Sequence, residues 1–389
     1  MYITKQQDFD NFLKRVKKCD AVAIDTEFLR EKTYWPKLCL LQMATIDEYA
    51  LIDPFSVDVS NLCQIFENEK IVKVFHSPRQ DIEILLYKTK VLPYPLFDSQ
   101  LAASFLGCSN QIGYGNLVSS MLGIKLKKGD TYSDWSIRPL TKSQLSYAKD
   151  DVFYLIKLYY KMYDELKKLG RLDWVFEDIN GKFLDKKLYK INPDERFWHL
   201  KKVTSLNPRQ LACAKEIAAW REKTAMKRNI PRRWLLSDDA IVELCRKKPK
   251  NLDELLTMRG IKNSLNMSDC RCLLAAVDKA LKLKNSELPC LVDSKKPNYK
   301  ECDFANYEID SEIDLMCSLL RHRAKENNLA PQVLATNIEL NQIAHGAKDN
   351  LSVLQGWRKD MVGQELLDLM EGKISLFLHD GKLQINKLN

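Results

Sequence analysis

An apolar strand that runs straight into two carboxylates, Ala21-Val22-Ala23-Ile24-Asp25-Thr26-Glu27-Phe28, constrains this chain more than any other feature. Side chains alternate across a strand, so Asp25 and Glu27 project from one face, one pleat apart. Two acids at the end of a buried strand repel each other and lose hydration. A fold holds such a pair cheaply when a cation lies between them, and a divalent metal fits best. A solvated strand edge can end in the same Asp-x-Glu, so the rest of the chain decides.

At 389 residues the chain is too long for one ordinary core, and two or three domains are expected. Hydrophobic content of 45% and charged content of 29% describe a globular, soluble protein. The 11 cysteines form no paired framework, and no second pair at zinc-ligand spacing accompanies Cys270 and Cys272. They are expected to be reduced core residues. The N-terminal residues carry no apolar signal core, and no stretch approaches membrane-spanning length. A cytoplasmic protein without a membrane partner, acting as a monomer, is expected.

The net charge of +9 is uneven. Residues 201–290 hold 20 Lys and Arg against 10 Asp and Glu, a net of +10, so the other 299 residues sum to −1. A basic module beside a nearly neutral one suggests that one part grips a polyanion while another does chemistry, although a solvated Lys-rich surface gives the same balance.

Strand and helix signals alternate through the first part. Helices are expected over 8–18, 59–68 and 79–88, and strands over 21–28, 38–44, 49–52 and 71–75. Thr141-Lys142-Ser143-Gln144 has capping-box spacing and opens a long helix through about Leu166. This mixture predicts an α/β domain with a central sheet over 1–190. Beyond residue 190 strand signals nearly vanish. Four or five short helices are expected over 207–285, in a helical domain spanning 205–287. Residues 286–308 read as a linker, and a second helical block covers roughly 309–374 in a domain spanning 300–389.

Further acids extend the opening pair. Asp81 follows the strand-turn sequence Lys73-Val74-Phe75-His76-Ser77-Pro78 and falls near a helix start, where the helix dipole also favours a carboxylate. On the long helix Tyr147 shares a face with Asp151, four residues on. Asp150 is three residues on and reaches the same side, so helix geometry alone leaves both acids open.

Asp25-x-Glu27, Asp81, and Tyr147 followed at the fourth position by Asp151 resemble the three motifs of the DEDDy branch of DnaQ-like 3′–5′ exonucleases. The resemblance to the ribonuclease D family is closer still. It rests on Thr33-Tyr34-Trp35-Pro36-Lys37-Leu38, Leu41-Gln42, His76 five residues before Asp81, and Asp134-Trp135-Ser136-Ile137-Arg138-Pro139-Leu140-Thr141. Residues 207–285 look like the helicase-and-RNase-D C-terminal (HRDC) domain, and Leu354-Gln355-Gly356-Trp357-Arg358 resembles the family's second, more divergent helical domain. The implied architecture is a ribonuclease H-like/DnaQ-like mixed-sheet exonuclease domain followed by two all-α HRDC-type domains. The family pattern selects Asp151 over Asp150.

Hydrolysis of a phosphodiester needs a hydroxide near neutral pH and relief of charge on the leaving oxygen, and two divalent ions supply both. Hard Mg²⁺ or Mn²⁺ suits a site made of carboxylates alone. The resemblance implies that Asp25 bridges two ions, that Glu27 and Asp151 hold the water-activating ion, and that Asp81 serves the second. Tyr147 is implied to orient the attacking water, since a phenol is ordinarily protonated at neutral pH.

Tyr34 and Trp35 are candidate stacking faces for terminal bases, or else packing aromatics. His76 reads as a structural histidine. Lys223, Lys227, Arg228, Arg232 and Arg233 cluster about an interhelical turn and are candidates for phosphate contact. Trp220 and Trp234 flank them and are expected to pack the small helical core.

The function implied is a metal-dependent 3′–5′ exoribonuclease that acts on structured RNA with a free 3′ end, chiefly tRNA precursors, and releases 5′-monophosphates. A 3′–5′ DNA exonuclease uses the same acids, but no polymerase-sized region follows here. An adaptor with an idle exonuclease fold would be expected to have lost an acid. A helicase fragment is excluded by the absence of a Gly-x-x-x-x-Gly-Lys-Ser/Thr loop.

Overall fold

The computed structural model describes residues 1–127, 133–261, 265–290 and 307–388. The core of the expected linker, 291–306, lies outside the described residues. The chain forms two compact units, one of Met1–Glu27, Leu38–Leu188 and Cys302–Asn389, the other of Phe28–Lys37 and Tyr189–Glu301.

The first unit is built on a six-stranded sheet. Its strands are β1 (Tyr2–Ile3), β2 (Ala21–Leu29), β3 (Lys37–Ala44), β4 (Tyr49–Ile52), β5 (Val72–Phe75) and β6 (Leu96–Asp98), in the order β1-β4-β3-β2-β5-β6. β3 and β4 are antiparallel, whereas β2, β5 and β6 run parallel, with Ala23 opposite Val74 and Phe75 opposite Asp98. Carboxyl ends of parallel strands gather at one edge of the sheet, which is where Asp25, Glu27 and the turn leading to Asp81 lie. Helices α1 (Gln6–Val16), α2 (Cys63–Phe66), α3 (Arg79–Thr89), α4 (Ser99–Ser104), α5 (Tyr114–Leu122), α6 (Lys142–Lys168) and α7 (Leu172–Phe183) complete the exonuclease part.

α6 begins as expected. The Thr141 hydroxyl accepts from the Gln144 backbone at 3.1 Å, and the Gln144 side chain accepts from the Thr141 backbone at 2.9 Å. Ala148, Val152, Leu155, Ile156, Tyr159 and Met162 are buried along α6, which fixes the roll of the helix and hence the direction of Tyr147 and Asp151.

The C-terminal residues of this unit comprise α13 (Tyr307–Glu326), α14 (Pro331–Leu334), α15 (Asn337–Ala344), α16 (Gly356–Arg358) and α17 (Gln364–Met370), the last two joined by a π-turn at Lys359–Gly363. They pack directly on the exonuclease part. Arg171, almost fully buried, donates to the carbonyls of Phe105 at 2.7 Å and Asn327 at 2.5 Å. The rings of Trp174 and Trp357 stack at 4.4 Å and 8°. Arg358 reaches Asp178 at 2.5 Å and the Val333 carbonyl at 2.8 Å.

The expectation of all-α domains needs one correction. β7 (Ile374–His379) and β8 (Lys382–Lys387) form an antiparallel hairpin, with Leu376 opposite Ile385. Asp380 and Gly381 at its tip both have positive φ, 50° and 71°. Asp-Gly supplies the left-handed pair that a two-residue hairpin turn demands, and Lys382-Leu-Gln-Ile-Asn-Lys alternates as a strand should.

In the second unit five α-helices are described: α8 (Pro208–Arg228), α9 (Arg232–Leu235), α10 (Asp238–Lys247), α11 (Leu252–Leu256) and α12 (Met267–Lys282). Asn207 caps α8 in a capping box with Gln210, and Pro208 occupies its first turn. Leu211, Ile217, Ile241, Leu244, Leu273 and Val277 form the core, with Trp220 packed at its margin. Trp234 departs from expectation: it is 58% exposed. α9 is a single turn whose buried positions are taken by Leu235 and the following Leu236, so its tryptophan is turned outward. All ten described cysteines are free thiols. Among the described residues no helix is long and apolar enough to cross a membrane.

Candidate active site

β2 presents Asp25 and Glu27, and α6 presents Asp151. One carboxylate oxygen from each lies within 4.8 Å of the others. Asp150 is directed elsewhere: its carboxylate faces Lys149 at 3.6 Å, while its carbonyl accepts from the Tyr114 hydroxyl at 2.9 Å. The turn of α6 thus brings Asp151 to the pair on β2.

Asp81 is buried in the first turn of α3. Asp98 shapes the approach, accepting from the backbone N–H groups of Ser77 at 2.8 Å and Gln100 at 3.0 Å. That bond holds Ser77 at φ 57° and so directs the chain from β5 into α3. The Thr26 hydroxyl donates to Asp81 Oδ1 at 2.5 Å. Thr26, between the two acids of β2, therefore ties the strand to the helix, a role that sequence reasoning passed over. Asp81 stands beside the three-acid cluster rather than in it.

The electrostatics are those of crowded acids. Burial, with Asp81 and Asp151 close by, holds the Asp25 carboxyl well above the usual range. Burial and the neighbouring Asp25 push Glu27 up to about 9. Burial and Glu27 push Asp151 up to about 8, and burial raises Asp81 to about 6. Asp151 Oδ2 is buried without a hydrogen-bond partner. Three converging carboxylates and an orphaned oxygen, with no His or Cys in the cluster among the described residues, fit a hard divalent cation.

Asp25, Asp151 and Tyr147 line an open cleft of about 680 Å³, which continues past His76 and Tyr114 to Lys125 and Lys127. The cleft lysines and Tyr114 carried no separate sequence signal. The Trp135 ring, 2% exposed, packs 6.1 Å from that of Tyr147. Nδ1 of His76 is 2.9 Å from Ser99 Oγ, and its ring meets Tyr114 edge-on at 5.5 Å. Burial lowers the His76 pKa to about 4, so the imidazole is neutral at physiological pH.

The other sequence candidates fall in the second unit. Tyr34 is buried and donates its hydroxyl to Glu222 at 2.5 Å, so its ring is packed rather than presented for stacking. Trp35 is half-buried, and its backbone N–H donates to Asn229 at 3.0 Å. Arg228 makes a two-pronged pair with the buried Asp269, at 2.6 and 2.9 Å, which locks α8 to the start of α12. Arg232 lies 3.7 Å from Glu222 and Arg233 3.8 Å from Asp238. Lys223 faces Asp194 at 3.6 Å with both side chains mostly exposed, and Lys227 is exposed.

A mixed sheet carrying this acid cluster defines a 3′–5′ exonuclease, and the family model described as "3'-5' exonuclease" matches residues 1–167. A second, the HRDC domain, matches residues 210–277. The chain belongs to the ribonuclease D family of hydrolytic 3′–5′ exoribonucleases. It is 38% identical to ribonuclease D of Bartonella henselae, covering 99% of this chain and 94% of that one. Against ribonuclease D of Sphingobium indicum the identity is 36%, covering 99% and 98%. The crystal structure of Escherichia coli RNase D, described as an exoribonuclease involved in structured RNA processing, superposes with a TM-score of 0.78. That match covers 96% of this chain and 98% of that one, at 28% identity.

Proposed function

We propose that this protein trims the 3′ trailers of tRNA precursors and other structured RNAs, removing nucleotides singly and releasing 5′-monophosphates. The observation that carries the reading is the convergence of Asp25, Glu27 and Asp151 within 4.8 Å, with Asp25 and Asp151 lining a cleft shared with Tyr147. Asp25, Glu27, Asp151 and Asp81 would hold two divalent ions, Mg²⁺ or Mn²⁺, which when bound activate water and neutralise charge on the leaving 3′-oxygen.

The protein's own groups do the rest. Thr26 keeps one oxygen of Asp81 occupied and the other directed, so the acid is pre-positioned. Tyr147 orients the attacking water from the α6 side of the cleft. Lys125 and Lys127 line the same cleft and offer positive charge to the phosphates of the 3′ end. In the basic unit, Lys223, Lys227, Arg232 and Arg233 contact the RNA phosphates, with Arg228 giving up part of its reach to Asp269, and Trp35 is kept as a stacking face for terminal bases. We assign residues 1–190 to catalysis and 205–287 and 300–389 to two helical domains, in a monomeric, cytoplasmic enzyme.

The test is a time course on a 5′-labelled RNA with a stable stem and a single-stranded 3′ tail, with Mg²⁺, with Mn²⁺, with chelator, and beside a DNA of the same sequence. A metal-dependent ladder that shortens from the 3′ end and stalls near the stem is expected. Full-length RNA in every lane overturns the reading, and equal shortening of the DNA transfers it to a DNA exonuclease.

A further inference from the structure

We propose that Trp234, with Arg233 and Lys227, is a stacking platform for an unpaired base of the RNA, a contact separate from the acid cleft. The proposal rests on the RNA-directed reading above and deepens it by naming how the basic unit takes hold of a single strand.

Tryptophan is a costly residue to leave in water, yet Trp234 is 58% exposed and Arg233 beside it 62% exposed. The turn that presents them is held firmly from below by two successive charged residues of α8. Arg221, 3% exposed, donates one Nη1 to the Leu236 carbonyl at 2.9 Å and to Asp238 Oδ1 at 2.8 Å. Glu222, 0% exposed, lies 3.7 Å from Arg232. Leu235 and Leu236 fill the core beneath. A mobile loop could tuck its indole away; this one-turn helix is fixed with the indole facing out.

The surroundings select the occupant. Lys227, in the last turn of α8, is exposed and has no ion-pair partner among the described residues. The Arg233 pair with Asp238 is long, at 3.8 Å, and leaves the guanidinium available. Asn229, in the left-handed conformation at the end of α8, also receives the backbone N–H of Trp35, so a second aromatic residue is laced to the same turn. An exposed aromatic face next to the exposed Arg233, in a stretch with a net charge of +10, matches a nucleic-acid strand: the base stacks and the phosphates meet the cations of the same unit. A protein partner for Trp234 would be served by an apolar rim, and the exposed Arg233 beside it supplies the opposite.

The full chain is measured in chelator, so that binding is read without cleavage, on an RNA with a stem and a single-stranded 3′ tail. Trp234→Ala should weaken Kd by about 5- to 100-fold, the range of one lost stacked base, and Trp234→Phe should restore most of it. Trp234→Ala should keep the slope of log Kd against log salt, whereas Lys227→Gln with Arg233→Gln should flatten it. Thermal unfolding of Trp234→Ala should match wild type, since the side chain is exposed. Equal Kd for wild type and Trp234→Ala, or a loss that Trp234→Phe leaves unrestored, overturns the platform. Metal-dependent cleavage of the same RNA by wild type and Trp234→Ala at saturating RNA reads the acid cleft alone: its absence in wild type sinks the exonuclease reading while the Kd series, measured in chelator, still decides the platform.

Discussion

The ring of Trp135 packs against that of Tyr147, 6.1 Å between centroids and tilted by 40°. Trp135 is held in turn by Arg138, which donates to the Trp135 carbonyl at 2.8 Å, to Asp53 at 2.7 and 3.0 Å, and to the Cys39 carbonyl at 2.6 Å. In the role proposed for Tyr147 the phenol needs a fixed rotamer, and the indole supplies its wall. Trp135→Leu is expected to lower kcat by about 10-fold or more while leaving metal affinity unchanged, and Trp135→Phe to recover most of the loss. Tyr147→Phe should cost roughly 10²-fold in kcat. Single-turnover kinetics with metal titration measures both, and an unchanged kcat in Trp135→Leu would remove the positioning role.

The crowded acids make stability depend on pH in a definite direction. Each folded-state pKa lies above its unfolded value, so the folded protein holds more protons than the unfolded chain. That stabilisation is complete below about pH 4, where unfolded carboxyls also protonate, and is lost as pH rises through the window from about 6, for Asp81, to about 9, for Glu27. In chelator, Tm of the wild type should therefore fall across pH 6 to 9 more steeply than that of Asp25→Asn, and the variant should be the more stable at pH 8. Mg²⁺ has to displace the same protons, so its affinity should rise over this range. Differential scanning calorimetry at four pH values checks the pair, and parallel Tm curves for the two proteins would refute the account.

Arg358 and Asp178 form a largely buried pair, 14% and 18% exposed. Arg358→Ala strands the carboxylate and frees the Val333 carbonyl, and should cost about 3 kcal/mol in urea unfolding. Asp178→Asn keeps a hydrogen-bonding partner and should cost less. Arg358→Ala unfolding at the wild-type midpoint would show that the Trp174–Trp357 stack alone carries this junction.

In the second unit the fully buried Glu222 accepts from Tyr34 and faces Arg196 at 3.1 Å. Glu222→Ala leaves that cation without its counter-charge and should destabilise by about 3 kcal/mol. Tyr34→Phe removes one hydrogen bond and should cost about 1 kcal/mol, provided its buried ring stays packed. Denaturant curves for both, with the double variant, give the coupling between them; a Tyr34→Phe loss as large as that of Glu222→Ala would contradict this ranking.

Local signals were legible where one short rule governs the outcome. The strand expected over 21–28 is found at Ala21–Leu29, and the capping box at Thr141 opens α6 as spacing alone requires. The choice between Asp150 and Asp151 lay beyond periodicity, because both positions reach the side of Tyr147; burial along α6 resolves it. β6 escaped notice because three residues preceded by Pro93 and Pro95 carry no measurable period. The C-terminal hairpin was readable in Asp380-Gly381 but was masked by the helical run before it. Tertiary contacts decide both aromatics: a buried carboxylate settles Tyr34 on the packing side of its two readings, and a one-turn helix with two inward leucines turns Trp234 out of the core where it was expected. Nothing in the spacing of Arg228 announces that it is committed to Asp269, forty-one residues away.

The stacked tryptophans carry a consequence for how the molecule is made. Trp174 leaves the ribosome more than 180 residues before Trp357 does, and the basic unit is translated in between. Domains fold as they emerge, so the nascent catalytic core must persist with Trp174, Asp178 and Arg171 uncovered while an unrelated helical bundle is completed. Only the final segment of translation closes the surface that the first segment opened.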